Sequence, residues 1–514
     1  MFSKIHTAAI LGIDAYLVDV EADVSDGLPC FDMVGYLSSE VKEARERVRT
    51  SLRNSGYRIP PKKITINLSP ASIRKEGAAF DVPIAISILA ALGYLAEEDL
   101  KNTLLIGELS LDGKIRRVNG ILAVVDMAKK EGKTRCLVPS ENAKEGAVIE
   151  GIEVVGVESL AQTIDVLKNP WNGNVSQFDL SGVRESKNLN QNLDFSDIRG
   201  QKMAKRASEI AVCGFHNILY LGPPGSGKSM IAKRLPTILP EPTHEECVEI
   251  SKIYSICGML SKEQPFIIKR PYRAPHNSIT AAALTGGGRF PKPGEFTLAN
   301  RGVLFLDELS EFKKSVLETM RKPLEDGKIL ISRLYGAYEF PAEFVMAAAM
   351  NPCGCGYYPD LTRCTCTPQE VGRYLNKISR PLLDRIDICV EVPDLLVEEL
   401  QTTILDESSE TIRKRVEEAR KIQEKRYKNI NIRFNSELSE KMIDKYCGIG
   451  TKEKSFLKRI FKTGTYSARA YHRILKVART IADLEGKDTI GIRHLSEAVC
   501  YRSLDKKYWR IKDE

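Results

Sequence analysis

The residues best suited to chemistry form one run, Gly222, Pro223, Pro224, Gly225, Ser226, Gly227, Lys228 and Ser229. It follows the apolar stretch 217–221 and fits G-x-x-x-x-G-K-[ST] between a strand and a helix. In such a loop the glycines let backbone N–H groups curl around phosphates. Lys228 reaches the β and γ oxygens, and the Ser229 hydroxyl ligates Mg²⁺. The expected cofactors are therefore ATP and Mg²⁺. A plain glycine-rich turn is the competing reading, and the strand-loop-helix context weighs against it.

Further along, the apolar run 302–306 ends in Asp307 and Glu308. After a phosphate loop, Asp307 is placed to hold Mg²⁺ through water, and Glu308 to orient and polarise the attacking water. A third apolar run, 344–350, ends at Asn351, whose amide can sense the γ-phosphate; the alternative is a turn-forming Asn before Pro352. The segment 379–387 carries Arg385, a candidate arginine finger toward a neighbouring subunit, or else a surface partner of Asp384 or Asp387. Near the start of a C-terminal helix, Arg469 can reach ATP, with Arg473 as the alternative.

Four cysteines, Cys353, Cys355, Cys364 and Cys366, follow Asn351 closely. Four thiolates on a Gly/Pro/Tyr-rich loop suit a tetrahedral structural Zn²⁺. C-x-C is less usual for zinc than C-x-x-C, so unliganded thiols stay open. A metal there would stiffen the link between Asn351 and Arg385.

The elements that position these groups come from 514 residues, 43% hydrophobic and 28% charged, ordinary for a soluble multidomain protein. No apolar run reaches the ~18 residues of a membrane span, and the start lacks the order of a signal peptide. A cytoplasmic setting with reduced cysteines is expected, and no membrane partner. The sequence predicts a multidomain α/β chain: an α+β domain over 1–170, a linker over 171–192, a parallel α/β domain over 193–393 and a helical block over 394–514. Strands are expected at 15–20 and 63–67, and helices at 39–55 and 82–95. Residues 401–514 carry 27 basic against 17 acidic side chains, and 251–300 seven against two. Such local excess suits a polyanion, though solvated faces give the same pattern.

The motifs at 270–277 (RPYRAPHN), 286–288, 293–298 and 302–308 resemble the magnesium-chelatase-like branch of AAA+ ATPases, and within it the ComM (YifB) family. The resemblance spans almost the whole chain. It implies an N-terminal Lon-protease-like domain (ribosomal S5 domain 2-like), a central AAA+ P-loop domain and a small helical lid. It further implies a homohexameric ring that moves on DNA and promotes branch migration during natural transformation. It gives Lys228, Ser229, Asp307, Glu308, Asn351, Arg385 and Arg469 the roles argued above. One departure is Asn277, where a second His after His276 is expected.

The segments 74–81, 107–113 and 119–122 look like a Lon-type proteolytic domain, whose chemistry needs a Ser nucleophile and a Lys base. Ala79 and Leu122 stand at those positions, so no peptidase activity is expected. DNA contacts are expected from 269–292, from a hairpin at 328–333 that includes Arg333, and more weakly from 452–462 and 506–512. The rival reading is a protein-remodelling ATPase, chelatase- or chaperone-like, acting on a polypeptide.

Overall fold

A computed structural model describes residues 1–178, 193–288, 291–333, 336–395, 406–463 and 467–509. They form two compact units that interleave along the chain. The first holds the described part of Met1–Asn188 together with Thr243–Ile268 and Leu330–Phe340. The second holds the described parts of Leu189–Pro242, Lys269–Ile329 and Pro341–Glu514.

The first unit is built on seven strands: β1 (Phe2–Leu11), β2 (Asp14–Ser25), β3 (Cys30–Gly35), β4 (Lys63–Ser69), β5 (Thr103–Leu105), β6 (Arg135–Pro139) and β7 (Glu153–Val157). Their order is β3-β4-β2-β1-β5-β6-β7. β1 and β2 run antiparallel with Ile5 opposite Val20, whereas β5, β6 and β7 pair in parallel. Along β2 the period of two puts Val18, Val20, Ala22 and Val24 on one buried face. Helices Ser39–Asn54 and Asp81–Ala91 pack in the same core, the former started by the Ser38 hydroxyl accepting from the Val41 N–H. Asp81 is fully buried, and its carboxylate accepts from the Arg47 guanidinium at 2.7 Å and from the Leu109 N–H at 3.2 Å. A buried carboxylate is tolerable only when paired in this way.

Two expectations change here. The start of the anticipated linker packs on this unit: the Ser176 N–H donates to the Val154 carbonyl at 2.8 Å, and Phe178 meets Phe266 edge-on at 5.5 Å. The free edge of β7 offers those backbone groups, which composition alone does not reveal. Residues 179–192 lie outside the described residues. Second, the helix His244–Ile256 falls in the middle of the expected P-loop domain but packs in the first unit, where Lys252 pairs with Asp126 and Ser255 with Glu145.

The second unit is built on a five-stranded sheet of β8 (Ile218–Leu221), β9 (Tyr272–Arg273), β10 (Val303–Leu306), β11 (Val345–Met350) and β12 (Ile388–Glu391). Its order is β9-β10-β11-β8-β12, and every pairing is parallel. Every residue of β8, β10 and β11 is buried, as covering both faces of a parallel sheet requires. Because all strands point one way, the loops after β8, β10 and β11 collect at one edge, where open α/β sheets bind ligands.

The helices after 406 share this core. Val416, Ile474, Leu495 and Tyr501 join Ile218, Ile231 and Leu235 in one hydrophobic cluster. The described part of the helical block expected from 394 on falls in the same compact unit as the sheet.

Candidate functional site

The loop 222–227 runs from β8 into the helix Lys228–Ile238. A Cβ on Gly222 would lie 2.1 Å from the Val392 carbonyl oxygen, so no larger residue fits there. Gly227, at φ 93°, supplies the left-handed turn that aims the helix N-terminus into the loop. Lys228 is buried, and its ammonium donates to the carbonyls of Gly222 at 2.8 Å and Pro223 at 2.6 Å and to Asn351 Oδ1 at 3.2 Å. Burial pushes its pKa down to about 8, against the opposing pull of Asp307 and Asp394.

The Ser229 hydroxyl donates to Asp307 Oδ2 at 2.7 Å. Ser229 is thus oriented to bind Mg²⁺ directly, with Asp307 beside it to reach the ion through water. The Glu308 N–H donates to Asp307 Oδ1 at 3.0 Å. Glu308 itself has φ 51°, a left-handed conformation uncommon outside glycine and Asn, that turns the chain immediately after β10. The structure thus brings Lys228, Ser229, Asp307, Glu308 and Asn351 to one edge of the sheet.

Two further residues join this edge: Asn277, which the sequence marked only as a departure from an expected His, and Gln201, which sequence reasoning missed. Asn277 Nδ2 donates to Glu308 Oε2 at 3.3 Å, which gives the departure from the expected His a place beside the acid. Gln201 donates its amide to the carbonyls of Ser226 at 3.3 Å and Pro393 at 2.7 Å. Those two acceptors fix the amide's orientation, and they leave the buried Gln201 Oε1 with no hydrogen-bond partner among the described residues. Gln201 lines a cavity of about 510 Å³ together with Met203, Val390, Leu395, Tyr501 and Leu504. An unpaired buried acceptor in a largely apolar cavity is a demand for a donor. Nothing in the sequence marks Gln201: its place directly before the helix Lys202–Gly214, at a left-handed φ of 51°, is a feature of the folded chain.

Arg385 and Arg469 lie elsewhere in this unit. They line a second cavity of about 500 Å³ with Arg473 and Lys476, and none of residues 222–229 borders it. Arg385 pairs with Glu325 and donates to the Pro381 carbonyl at 2.7 Å, so its partner is neither Asp384 nor Asp387. Arg473 sits 3.3 Å from Asp387, which also meets His216 at 3.3 Å. Although burial pushes Asp387 up, Arg473 and His216 hold its carboxyl well below the usual range. Arg473 is thus committed inside the unit, and Arg469 is the arginine of the two at the more open position.

Cys353, Cys355, Cys364 and Cys366 come together, with all four sulfurs within 4.8 Å of one another. Of the basic stretch 269–292, Arg273 is tied to Glu295 at 2.6 Å, and Arg270 donates to the carbonyls of Pro240 and Arg301. Two of the five basic residues of that stretch are therefore tied down within the unit, Lys269 and Lys292 are exposed, and residues 289 and 290 lie outside the described residues. The hairpin forms as expected, Lys328–Arg333 with Gly336–Pro341, and Arg333 is exposed; the tip at 334 and 335 is not described. The segment 452–462 lies on the helix Thr451–Thr463, while 510–512 fall outside the described residues. In the first unit Leu122 is fully buried on the helix Ile121–Lys130, and Ala79 spends its carbonyl on the Gly107 N–H at 3.0 Å.

The profile described as "Magnesium chelatase, subunit ChlI" matches residues 194–400. Those for "Subunit ChlI of Mg-chelatase" and "Magnesium chelatase, subunit ChlI C-terminal" match 20–142 and 406–502. The chain is 42% identical over 503 residues to "Competence protein ComM" of Haemophilus influenzae, which covers 97% of each chain. It is 40% identical over 507 residues to "Uncharacterized protein YifB" of Escherichia coli, covering 98% of this chain and 97% of that one. A magnesium-chelatase 38 kDa subunit of Rhodobacter capsulatus aligns at 24% identity over 59% of this chain and 84% of its own. Identity of this extent over the full length, with a phosphate loop and its acids at one sheet edge, shows that the chain belongs to the ComM/YifB family of magnesium-chelatase-like AAA+ proteins.

Proposed function

We propose that this protein is an ATP hydrolase that works as a DNA-translocating motor. The observation that carries the first half is the meeting of Lys228 with Asn351 and of Ser229 with Asp307 across three neighbouring strands. With ATP bound, the loop amides and Lys228 hold the phosphates, and Ser229 and Asp307 hold Mg²⁺, which supplies charge neutralisation on the transferring phosphate. Glu308 orients water, and Asn351 senses the terminal phosphate. The adenine sits in the cavity beside Gln201, whose unpaired Oε1 accepts from the exocyclic amine.

Arg385 and Arg469 complete the site of a neighbouring copy. Their separation from the phosphate loop of their own chain supports donation in trans, and so a ring, which the resemblance implies is a homohexamer. The first unit serves as a peptidase-inactive, Lon-like scaffold, since neither Ala79 nor Leu122 can act as a nucleophile or a base.

The DNA half rests on the basic C-terminal block, on the exposed Arg333 hairpin and on the similarity to the competence protein of Haemophilus influenzae. Branch migration in homologous recombination during natural transformation is the role this reading gives it, in the cytoplasm. The test is displacement of a labelled strand from a four-way junction, with ATP and with a non-hydrolysable analogue. ATP-dependent dissociation supports the motor. Dissociation of neither junctions nor forks, by a protein that still hydrolyses ATP, moves the assignment to a polypeptide substrate.

A further inference from the structure

We propose that Cys353, Cys355, Cys364 and Cys366 bind one Zn²⁺ as a tetrathiolate, and that this metal braces the phosphate loop. The first part stands on the cysteines alone; the second rests on the nucleotide site described above.

The sulfur geometry is specific. Cys353 lies 3.3 Å from Cys355 and 3.8 Å from Cys364, and Cys355 lies 3.5 Å from Cys364. A disulfide holds its sulfurs at about 2.05 Å, so none of these pairs is one. Four sulfurs at about 2.3 Å from a tetrahedral Zn²⁺ stand about 3.8 Å apart; the three separations among Cys353, Cys355 and Cys364 reach that value from slightly below, and Cys366 lies within 4.8 Å of the others. Free thiols have no reason to crowd four deep in a loop, whereas a soft divalent cation gives them one.

The backbone around the sulfurs is a second, independent observation. The N–H groups of Gly356 and Tyr358 point at the Cys353 sulfur, at 3.2 and 3.4 Å. Those of Tyr357 and Thr365 are directed at Cys355, and that of Cys366 at Cys364. Amide donors converging on sulfur stabilise thiolates, and such outer hydrogen bonds orient metal ligands. Cys353 is fully buried, and the other three are half-buried. The loop carrying them runs from the end of β11 to the helix Pro368–Leu375, so it opens at Asn351.

That placement links the metal to the phosphate loop. Gly356, at φ 90°, lies so close that a Cβ there would come within 2.6 Å of Pro224. Arg363, between the two cysteine pairs, donates to Asp394 at 2.6 Å, and Asp394 acts electrostatically on Lys228. A metal that fixes residues 353–366 therefore fixes one wall of the nucleotide site and one of its charges.

The experiment uses the full chain, purified without added metal. Elemental analysis should give about one zinc per chain, retained through dialysis against EDTA and released by a mercurial. Replacement by Co²⁺ should produce the intense sulfur-to-cobalt bands of a tetrahedral thiolate site. Cys355→Ser with Cys364→Ser should lower the zinc content more than tenfold, while Cys500→Ser, at an exposed cysteine outside the cluster, should leave it intact. Less than about a fifth of a zinc per chain, iron in its place, or cobalt spectra without thiolate bands overturn the assignment. Metal-free protein that keeps its circular dichroism should bind a fluorescent ADP at least tenfold more weakly. Equal affinity with and without zinc overturns the bracing. Loss of ADP binding in the zinc-loaded protein counts against the nucleotide site and leaves the metal assignment standing.

Discussion

The ammonium of Lys228 donates to the side-chain oxygen of Asn351 at 3.2 Å, joining the helix that follows β8 to the end of β11. The same ammonium satisfies two loop carbonyls. Asn351 therefore shares with the loop carbonyls the cation that is proposed to hold the phosphates.

Lys228→Ala should abolish hydrolysis, because it removes the buried ammonium that donates to the loop carbonyls of Gly222 and Pro223. Asn351→Ala should lower kcat by about 10²-fold while leaving nucleotide affinity within a few-fold, the pattern of an interaction made in the transition state. Steady-state kinetics with direct titration of ADP separate the two. Equal losses in affinity and rate would instead assign Asn351 to ground-state binding.

Burial holds Lys228 at about 8, below its ordinary value of 10.5. The sign follows: near pH 8.5 the unliganded protein has largely lost this proton, and bound phosphate restores it. Nucleotide binding should therefore take up a fraction of a proton at pH 8.5 and much less at pH 7. Calorimetry in two buffers of different ionisation enthalpy measures it. The same shift makes the unliganded fold more stable as pH rises from about 8 to 10.5, because the unfolded chain still carries the proton there. Proton release on binding would contradict the assignment.

Asn277 holds Glu308 through one amide hydrogen bond. Asn277→Ala should change the basal hydrolysis rate severalfold and shrink any stimulation by polymer, with ADP affinity unaltered. Glu308→Gln should retain ATP and hydrolyse it at least about 10²-fold more slowly. A filter-binding assay with labelled ATP reads both. An Asn277 variant indistinguishable from wild type would reduce that contact to a surface bond.

Arg385→Ala should bind nucleotide and fail to hydrolyse it, since a finger is worth about 10³-fold or more in kcat. Mixed with Lys228→Ala protein, it should regain activity: the phosphate loop of one variant then meets the arginine of the other. Two inactive proteins that stay inactive after mixing, under conditions where both assemble, would place Arg385 in a structural role with Glu325.

Much of the second unit was legible in the sequence because its signals are local. The loop 222–229 needs glycines at fixed offsets, and β8, β10 and β11 are short apolar runs, the last two leading directly into Asp307 and Asn351. What escaped depends on contacts distant in the chain. Gln201 meets Pro393, and Asn277 meets Glu308, and no periodicity records either. Part of the charge of 251–300 is internal for the same reason: Arg273 finds Glu295 only once the chain is folded. The helix His244–Ile256 joins the first unit through Lys252 and Asp126, a pairing invisible to a reading that follows chain order.

The most direct test of the account is the ATP hydrolysis rate alone and with single-stranded, duplex and four-way-junction DNA, with Lys228→Ala as the blank. The account predicts hydrolysis stimulated severalfold by at least one of these, absent in the variant and weakened by salt as phosphate contacts require. A wild-type rate equal to the Lys228→Ala rate would contradict the ATP site, and a robust rate unmoved by every DNA would contradict the motor.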